Sequence, residues 1–172
     1  MRRSKDFLRT RDIPWAIKIG DYYCSFFSAG DDIPESIEDQ LFIIWSEIKK
    51  FKVVFNVEEV ALNEEYLDMK FPFNKYENKE ELAFYKKWYT HSFIAMARRG
   101  FYAFDRDINS PITKSSYYLI ASPPRLIERI TDNLLHLSCS ISPKELDGMN
   151  IVDFVNKHNQ HNQQYEKDLG LF

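Results

Sequence analysis

Two aspartates stand at the end of an apolar stretch in the middle of the chain. Residues 101–107 read Phe-Tyr-Ala-Phe-Asp-Arg-Asp, so one residue separates Asp105 from Asp107. If the apolar part is a strand, both carboxylates lie at its end and can bind the same hard cation, Mg²⁺ or Mn²⁺. Such an ion can bind phosphate oxygens in turn. One functional hypothesis is therefore a metal-dependent phosphoryl- or nucleotidyl-transfer enzyme that uses Asp105 and Asp107.

The residues around this pair do not complete a familiar pattern of that chemistry. Phosphatases of the haloacid dehalogenase type carry their aspartates in the first strand, usually followed by Gly-Thr, whereas Ile108 and Asn109 follow here. Minimal nucleotidyltransferases have a Gly-Ser helix start upstream, and Gly100, directly before this segment, does not serve that purpose. Carboxylates at a strand end are also common in turns that are simply exposed to solvent. The favoured expectation is therefore no cofactor, with Mg²⁺ or Mn²⁺ as the alternative.

Arginines and tyrosines near the same segment are suited to binding an anion. Arginine can form bidentate hydrogen bonds with carboxylate or phosphate and can stack on aromatic rings. The candidate ligand-binding residues are Arg99, Tyr102, Arg106 and Tyr117. Their ligand would be a carboxylate, a phosphate or an acidic protein partner. Basic residues also stabilise helix C-termini, which explains Arg99 without any ligand.

The histidines and cysteines give weaker signals. His91 falls alone within a helical pattern, and His136 lies three residues before Cys139 without an orienting third residue. The structural interpretation of these residues is favoured over a catalytic one. Cys24 and Cys139 are the only two cysteines, and unpaired thiols in a chain of this length fit a reducing compartment. We therefore expect a cytoplasmic protein that needs no disulfide.

Charge and apolar content limit the classes of partner. The net charge is −3, and only the arm at about residues 1–11 is clearly basic, so nucleic acid is not the expected partner. The apolar runs are too short to span a membrane, so no membrane partner is expected. Aromatic residues make up 16% of the chain, which suits packing and also binding surfaces.

Apolar periodicity predicts the elements that position these residues. Period-2 alternation predicts strands at residues 13–19, 22–27, 51–57, 67–73, 101–105 and 117–122. Apolar residues three and four apart predict helices at residues 35–50, 78–99, 127–137 and 142–146, and a last one from Asn150. Gly20-Asp21 predicts a hairpin turn, and Gly100 a helix stop.

This order predicts an α+β fold, approximately ββα-ββα-ββα. Consecutive hairpins would form an antiparallel sheet with helices packed on one face. No linker divides the chain, so we expect one domain over residues 1–172, with a polar C-terminal tail at about residues 156–172.

The absence of a convincing catalytic set favours a non-enzymatic function. We expect a domain that binds another protein through aromatic and charged surface, as an inhibitor or immunity-type partner does, because electrostatic complementarity speeds association and sets specificity. The transferase using Asp105 and Asp107 is the alternative. A homo-oligomer is also compatible with the aromatic content.

Overall fold

A seven-stranded mixed sheet lies at the centre of the described chain. The computed structural model describes residues 12–30, 33–107 and 116–168, with side chains up to residue 159. In chain order, the strands are β1 Pro14–Ile19, β2 Tyr22–Phe27, β3 Ala61–Leu62, β4 Tyr102–Arg106, β5 Ser116–Ser122, β6 His136–Leu137 and β7 Met149–Asn150. Their order across the sheet is β3-β5-β4-β2-β1-β6, and β7 also pairs with β5.

Six α-helices accompany these strands within the same residues. They are α1 Glu35–Glu38, α2 Leu41–Ile48, α3 Glu64–Lys70, α4 Lys79–Ala97, α5 Pro143–Leu146 and α6 Ile151–Asp168. Short 3-10 helices cover Val57–Glu59 and Phe73–Lys75. None of the described helices combines the length and the apolar character that crossing a bilayer requires.

Local capping and turn signals explain the elements that the sequence predicts correctly. The Asn78 side chain accepts a hydrogen bond from the backbone N–H of Glu81 at 2.8 Å, which caps the start of α4. Ser142 and Glu145 form the expected capping box of α5. Gly20 adopts a φ of 56° in the turn that joins β1 to β2. The first hairpin, α4 and α5 are therefore confirmed.

The expectation of an antiparallel sheet is wrong, because the sheet is mixed. Strands β1 and β2 pair antiparallel, as do β4 and β5, but β2 pairs parallel with β4 and β1 pairs parallel with β6. A two-residue turn forces antiparallel pairing, whereas the long connections before β4 and β6 allow each strand to return in the parallel direction. The ββα-ββα-ββα order is not confirmed.

Three predicted elements differ from the structure. Residues 51–56 form no strand, and most of the predicted strand at residues 67–73 belongs to α3, whose start Asn63 caps by accepting from the Tyr66 N–H at 3.1 Å. Residues 123–135 are irregular rather than helical. The Tyr23 hydroxyl accepts from the Ile130 N–H at 3.1 Å, so this segment satisfies its backbone by tertiary contacts instead of a helical ladder.

Aromatic side chains pack on both faces of the sheet, and helix α4 covers one of them, while the expected packing of the helices on one face stays a prediction. On one face Trp15, Phe26 and Phe104 stack at centroid distances of 4.3 and 5.0 Å. On the other face Phe27 contacts Phe93 of α4 at 4.9 Å. Helix α2 lies on the α4 side, while fully buried residues of α1, α5 and α6, namely Ile37, Leu146, Ile151 and Val155, complete the core.

The two chain ends fall partly or wholly outside this description. The basic arm at residues 1–11 lies outside the described residues. The polar tail begins within α6, which continues to Asp168, and residues 169–172 lie outside the described residues.

Candidate functional site

Asp105 lies at the end of β4 on the sheet face that α4 covers. Its side chain is almost fully buried, and the Tyr89 hydroxyl donates a hydrogen bond to its Oδ2 at 2.5 Å. Burial raises the pKa of the Asp105 carboxyl to about 6, although the Tyr89 hydrogen bond and the charge of Lys70 oppose that rise. Asp105 therefore changes its charge in mildly acidic solution rather than near pH 4.

Lys70 and two tyrosines surround this carboxyl. The Lys70 ammonium lies 4.7 Å from the ring centroid of Tyr89 and 5.8 Å from that of Tyr66. Burial raises the pKa of both phenols, and the charge of Asp105 raises both further. Asp107 also raises the pKa of Tyr66. We call Tyr66, Lys70, Tyr89 and Asp105 the Asp105 cluster.

Of the two predicted metal ligands, Asp105 belongs to this cluster, and Asp107 follows it two residues later. Asp107 donates its backbone N–H to the Ser116 carbonyl at 3.0 Å, while Asp105 is hydrogen-bonded to Tyr89. Within residues 12–30, 33–107 and 116–168, no three His, Cys, Asp or Glu side chains are grouped to hold a metal ion. Asp105 and Asp107 are the residues that could bind Mg²⁺ or Mn²⁺, and this hypothesis stays a prediction.

The four predicted ligand-binding residues do not form one group. Arg106 and Tyr117 are register partners across β4 and β5, and both are buried. Tyr102 lies at the opposite end of β4, roughly 13 Å away at 3.3 Å per residue. Arg99 follows α4, and its Nη1 donates to the Ala95 carbonyl at 2.7 Å, as expected of a basic residue at a helix C-terminus.

Two neighbouring clefts follow α4 and share lining residues. The Asp105 cleft has a volume of about 580 Å³ and is bordered by Asp12, Phe84, Trp88 and Asp105. The α2–α4 cleft has a volume of about 770 Å³ and lies between those two helices. Both clefts are lined by Phe27, His91 and Ser92. We call the two together the α4 groove.

Helix α4 carries apolar residues on two faces. Its buried face holds Phe93, Met96 and Ala97, whose spacing predicts a helix packed on the sheet. Phe84 and Trp88 lie four residues apart outside that face, and their side chains are 64% and 73% exposed. Sequence reasoning missed them as functional candidates. The signal in the sequence that could have indicated them is a second pair of aromatic residues, four positions apart, outside the apolar face of the helix.

The α2–α4 cleft combines an apolar floor with a basic rim. Apolar side chains from β2, α2 and α4 and from the segment after α2 line it, namely Phe27, Trp45, Ile48, Phe51, Val53 and Met96. Its charged lining residues are Lys49, Lys52 and Arg99, and none of the described residues that line it is acidic. Phe42 and Ile43 on α2, and Val54 in the segment after α2, are also exposed. This cleft is suited to an amphipathic ligand with negative charge.

The loop at residues 123–135 is held against α2 by Glu47, which is nearly fully buried. The Glu47 carboxylate accepts hydrogen bonds from the Lys50 ammonium at 2.6 Å, from the Thr131 hydroxyl and from the Asn133 side chain at 3.4 Å. The hydrogen bond from Lys50 contributes most to the lowering of its pKa, and the Thr131 hydrogen bond contributes next. Glu47 is therefore a structural carboxylate away from the α4 groove.

No protein-family model, curated protein or solved structure matches the chain.

Proposed function

We propose that this protein is a non-enzymatic domain that binds another protein through the α4 groove, as an inhibitor or immunity-type protein does. The observation that carries this proposal is the pair of exposed aromatic side chains, Phe84 and Trp88, along a cleft of about 580 Å³. Soluble monomers seldom expose clustered aromatic residues beside a cleft unless that surface binds something.

The size of the exposed surface supports a protein partner. With Trp88 73% and Phe84 64% exposed, covering both would remove roughly 250 Å² of side-chain surface from water. At about 25 cal/mol per Å², this burial is worth about 6 kcal/mol before the entropic cost of association. Tryptophan is also the residue most enriched among those that dominate binding energy at protein interfaces.

The groove also carries the charged groups that would set specificity. Asp12 and Lys87 border the Asp105 cleft, while Lys49, Lys52 and Arg99 border the α2–α4 cleft. Complementary charges on a partner would speed its association and select against wrong partners. This combination agrees with the aromatic and charged surface expected of an inhibitor or immunity-type protein.

We place this function in the cytoplasm. Cys24 is buried and Cys139 is half-buried, and neither is in a disulfide. Burial raises the pKa of the Cys24 thiol far above its ordinary value, so this thiol is protonated and unreactive. Two cysteines outside a disulfide fit a reducing compartment.

A metal-dependent phosphoryl- or nucleotidyl-transfer enzyme is the second candidate, and Asp105 favours it. This carboxyl borders the Asp105 cleft, and its pKa is raised to about 6. Buried carboxylates with raised pKa values are common at active sites. The binding function is preferred because the exposed aromatic pair beside the cleft suits a protein partner directly.

A displayed-peptide selection tests the binding function. The wild-type protein is used as bait beside two matched variants, Phe84→Ser/Trp88→Ser in the groove and Met69→Ser/Phe73→Ser outside it. Met69 and Phe73 are also exposed, at 66% and 54%, so each variant removes two exposed apolar side chains. We expect peptides that bind the wild type and the Met69/Phe73 variant but lose at least about 30-fold in affinity for the Phe84/Trp88 variant.

Two results would argue against this function. If no peptide is enriched, or if the enriched peptides bind the groove variant equally well, the α4 groove is not the binding surface. A dimer that forms with rising concentration in the wild type but not in the groove variant would instead assign the surface to a second copy of the chain.

A further inference from the structure

The α2–α4 cleft has an unusual distribution of charge for this protein. The whole chain has a net charge of −3, yet the described charged residues that line this cleft are Lys49, Lys52 and Arg99, all basic. Both lysine side chains are exposed, and within the described residues neither is in an ion pair. No Asp or Glu is among the described residues that line the cleft, so no carboxylate there neutralises the positive charges at the rim.

The basic rim surrounds an apolar floor. The Trp45 indole donates to the Pro14 carbonyl at 2.7 Å, which fixes its ring at the cleft. Phe51 contacts Tyr23 and Phe101 at centroid distances of 4.9 and 4.4 Å and is almost fully buried, so the floor is held by the core. A floor of this kind is preorganised, and a ligand would lose little affinity to reshaping it.

We propose that the α4 groove binds an acidic amphipathic helix of the partner protein. Its apolar side chains would cover the floor around Trp45 and Met96, and its Asp and Glu side chains would pair with Lys49, Lys52 and Arg99. This inference rests on the proposed binding function and adds the chemistry of the partner segment. It follows the helix-in-groove mode, in which an amphipathic helix places its apolar face between two helices.

The number of basic groups at the rim favours a helix over a small amphiphilic anion. From Phe84 to Arg99 the two clefts follow 15 residues of chain, roughly 22 Å at 1.5 Å per residue, which a helical segment of similar length spans in four turns. Such a segment can present several carboxylates to Lys49, Lys52 and Arg99, whereas a fatty acid has only one. Arg99 donates one N–H to Ala95, and the guanidinium has further N–H groups for a partner carboxylate.

Two model peptides test this inference. Both have 15 residues with leucines at helical spacing, and their remaining positions are filled by Glu and Ala in one and by Lys and Ala in the other. Binding of each fluorescein-labelled peptide is measured by fluorescence anisotropy at 50 mM and 300 mM salt. We expect the Glu peptide to bind at least tenfold more tightly than the Lys peptide, with a difference that shrinks at high salt.

Matched charge variants locate the contact. Lys49→Gln/Lys52→Gln removes two charges from the rim, and Lys75→Gln/Lys79→Gln removes two exposed charges away from the groove. We expect the first variant to bind the Glu peptide about tenfold more weakly than the wild type, and the affinity of the second variant to stay within about twofold of the wild type. All four lysines are exposed, so thermal unfolding checks that each variant is folded.

The outcomes separate this inference from the proposed function. Equal binding of both peptides, or no effect of Lys49→Gln/Lys52→Gln, overturns the acidic-helix proposal. The proposal is also overturned if dodecanoate binds at the rim and the Glu peptide does not bind. If displayed peptides then still depend on Phe84 and Trp88, the binding function stands with a partner of different charge. If no displayed peptide depends on them, both proposals fail.

Discussion

Replacing Asp105 by asparagine should stabilise the fold at neutral pH. Burial raises the pKa of this carboxyl from an ordinary value of 3.8 to about 6, so the folded state disfavours the charged form. Asparagine keeps a side-chain oxygen that can accept from the Tyr89 hydroxyl, as Asp105 Oδ2 does now. The substitution therefore removes the buried charge while preserving the hydrogen bond.

The magnitude follows from the two pKa values. Their difference is about 2, and at 1.36 kcal/mol per pKa unit the buried charge costs up to about 3 kcal/mol. Asp105 is only 7% exposed, so solvent screening reduces this cost little. For a chain of this size, such a gain would raise Tm by up to about 6–12 °C.

The effect should depend on pH in a defined direction. Because the pKa of Asp105 is higher in the folded state, the folded protein holds more protons than the unfolded chain between about pH 4 and pH 6. Wild-type stability from this group is thus greatest below pH 4 and is lost as the pH rises through 6. The asparagine side chain cannot titrate, so the advantage of Asp105→Asn should be full above pH 7 and near zero at pH 4.

Urea unfolding at pH 7.5 and pH 4.5 measures this difference. Asp21→Asn serves as the control, since Asp21 is exposed in the first hairpin turn and its replacement removes the same charge from the chain. A destabilised Asp105→Asn protein at pH 7.5, or a free-energy difference that does not change with pH, would refute the reasoning. The first result would mean that the carboxylate has a stabilising partner that outweighs its burial.

Two further predictions concern the carboxylates. Glu47→Ala should lower the free energy of unfolding by about 1–2 kcal/mol in urea at pH 7, because three side chains lose their acceptor while Lys50 and Asn133 can still be solvated. Glu58→Ala on an exposed 3-10 helix should change it by less than about 0.5 kcal/mol. Because the pKa of Glu47 is lowered in the folded state, the stability that it contributes should be lost as the pH falls through that lowered value. An equal loss of unfolding free energy in the two variants would contradict the role of Glu47 in anchoring the loop at residues 123–135. Mg²⁺ or Mn²⁺ with a nucleotide should leave Tm unchanged if the protein only binds a partner. A rise of several degrees that disappears in Asp105→Ala/Asp107→Ala would instead favour the transferase, since a ligand at a hundred times its Kd adds about 2.7 kcal/mol.

Local signals in the sequence determined several elements correctly. The Gly20-Asp21 turn, the Asn78 cap of α4 and the capping box at Ser142 each act within a few residues, and each is found where it is predicted. The pairing of residues 102–106 with 116–122 also agrees with the alternation in those two segments. These features depend on short-range geometry, which a single sequence displays directly.

Segments with mixed signals were decided by tertiary contacts. Alternation at residues 67–73 favours a strand, but the Asn63 cap and the two glutamates that follow it favour α3. The helical spacing at residues 127–137 is overridden by hydrogen bonds that the loop donates to Tyr23 and Glu47, which are more than 80 residues away in the chain. A periodic pattern cannot show which distant groups will compete for the backbone.

The candidate site divides in the same way. From the sequence alone, Asp105 and Asp107 were recognisable as carboxylates at a strand end, and the high aromatic content of the chain was evident. Only the tertiary structure decided that Tyr89 binds Asp105, that Phe84 and Trp88 stay exposed, and that α2 and α4 enclose a cleft with a basic rim. Burial and cleft shape arise from contacts between distant segments, and those contacts set both the pKa of Asp105 and the surface that a partner can reach.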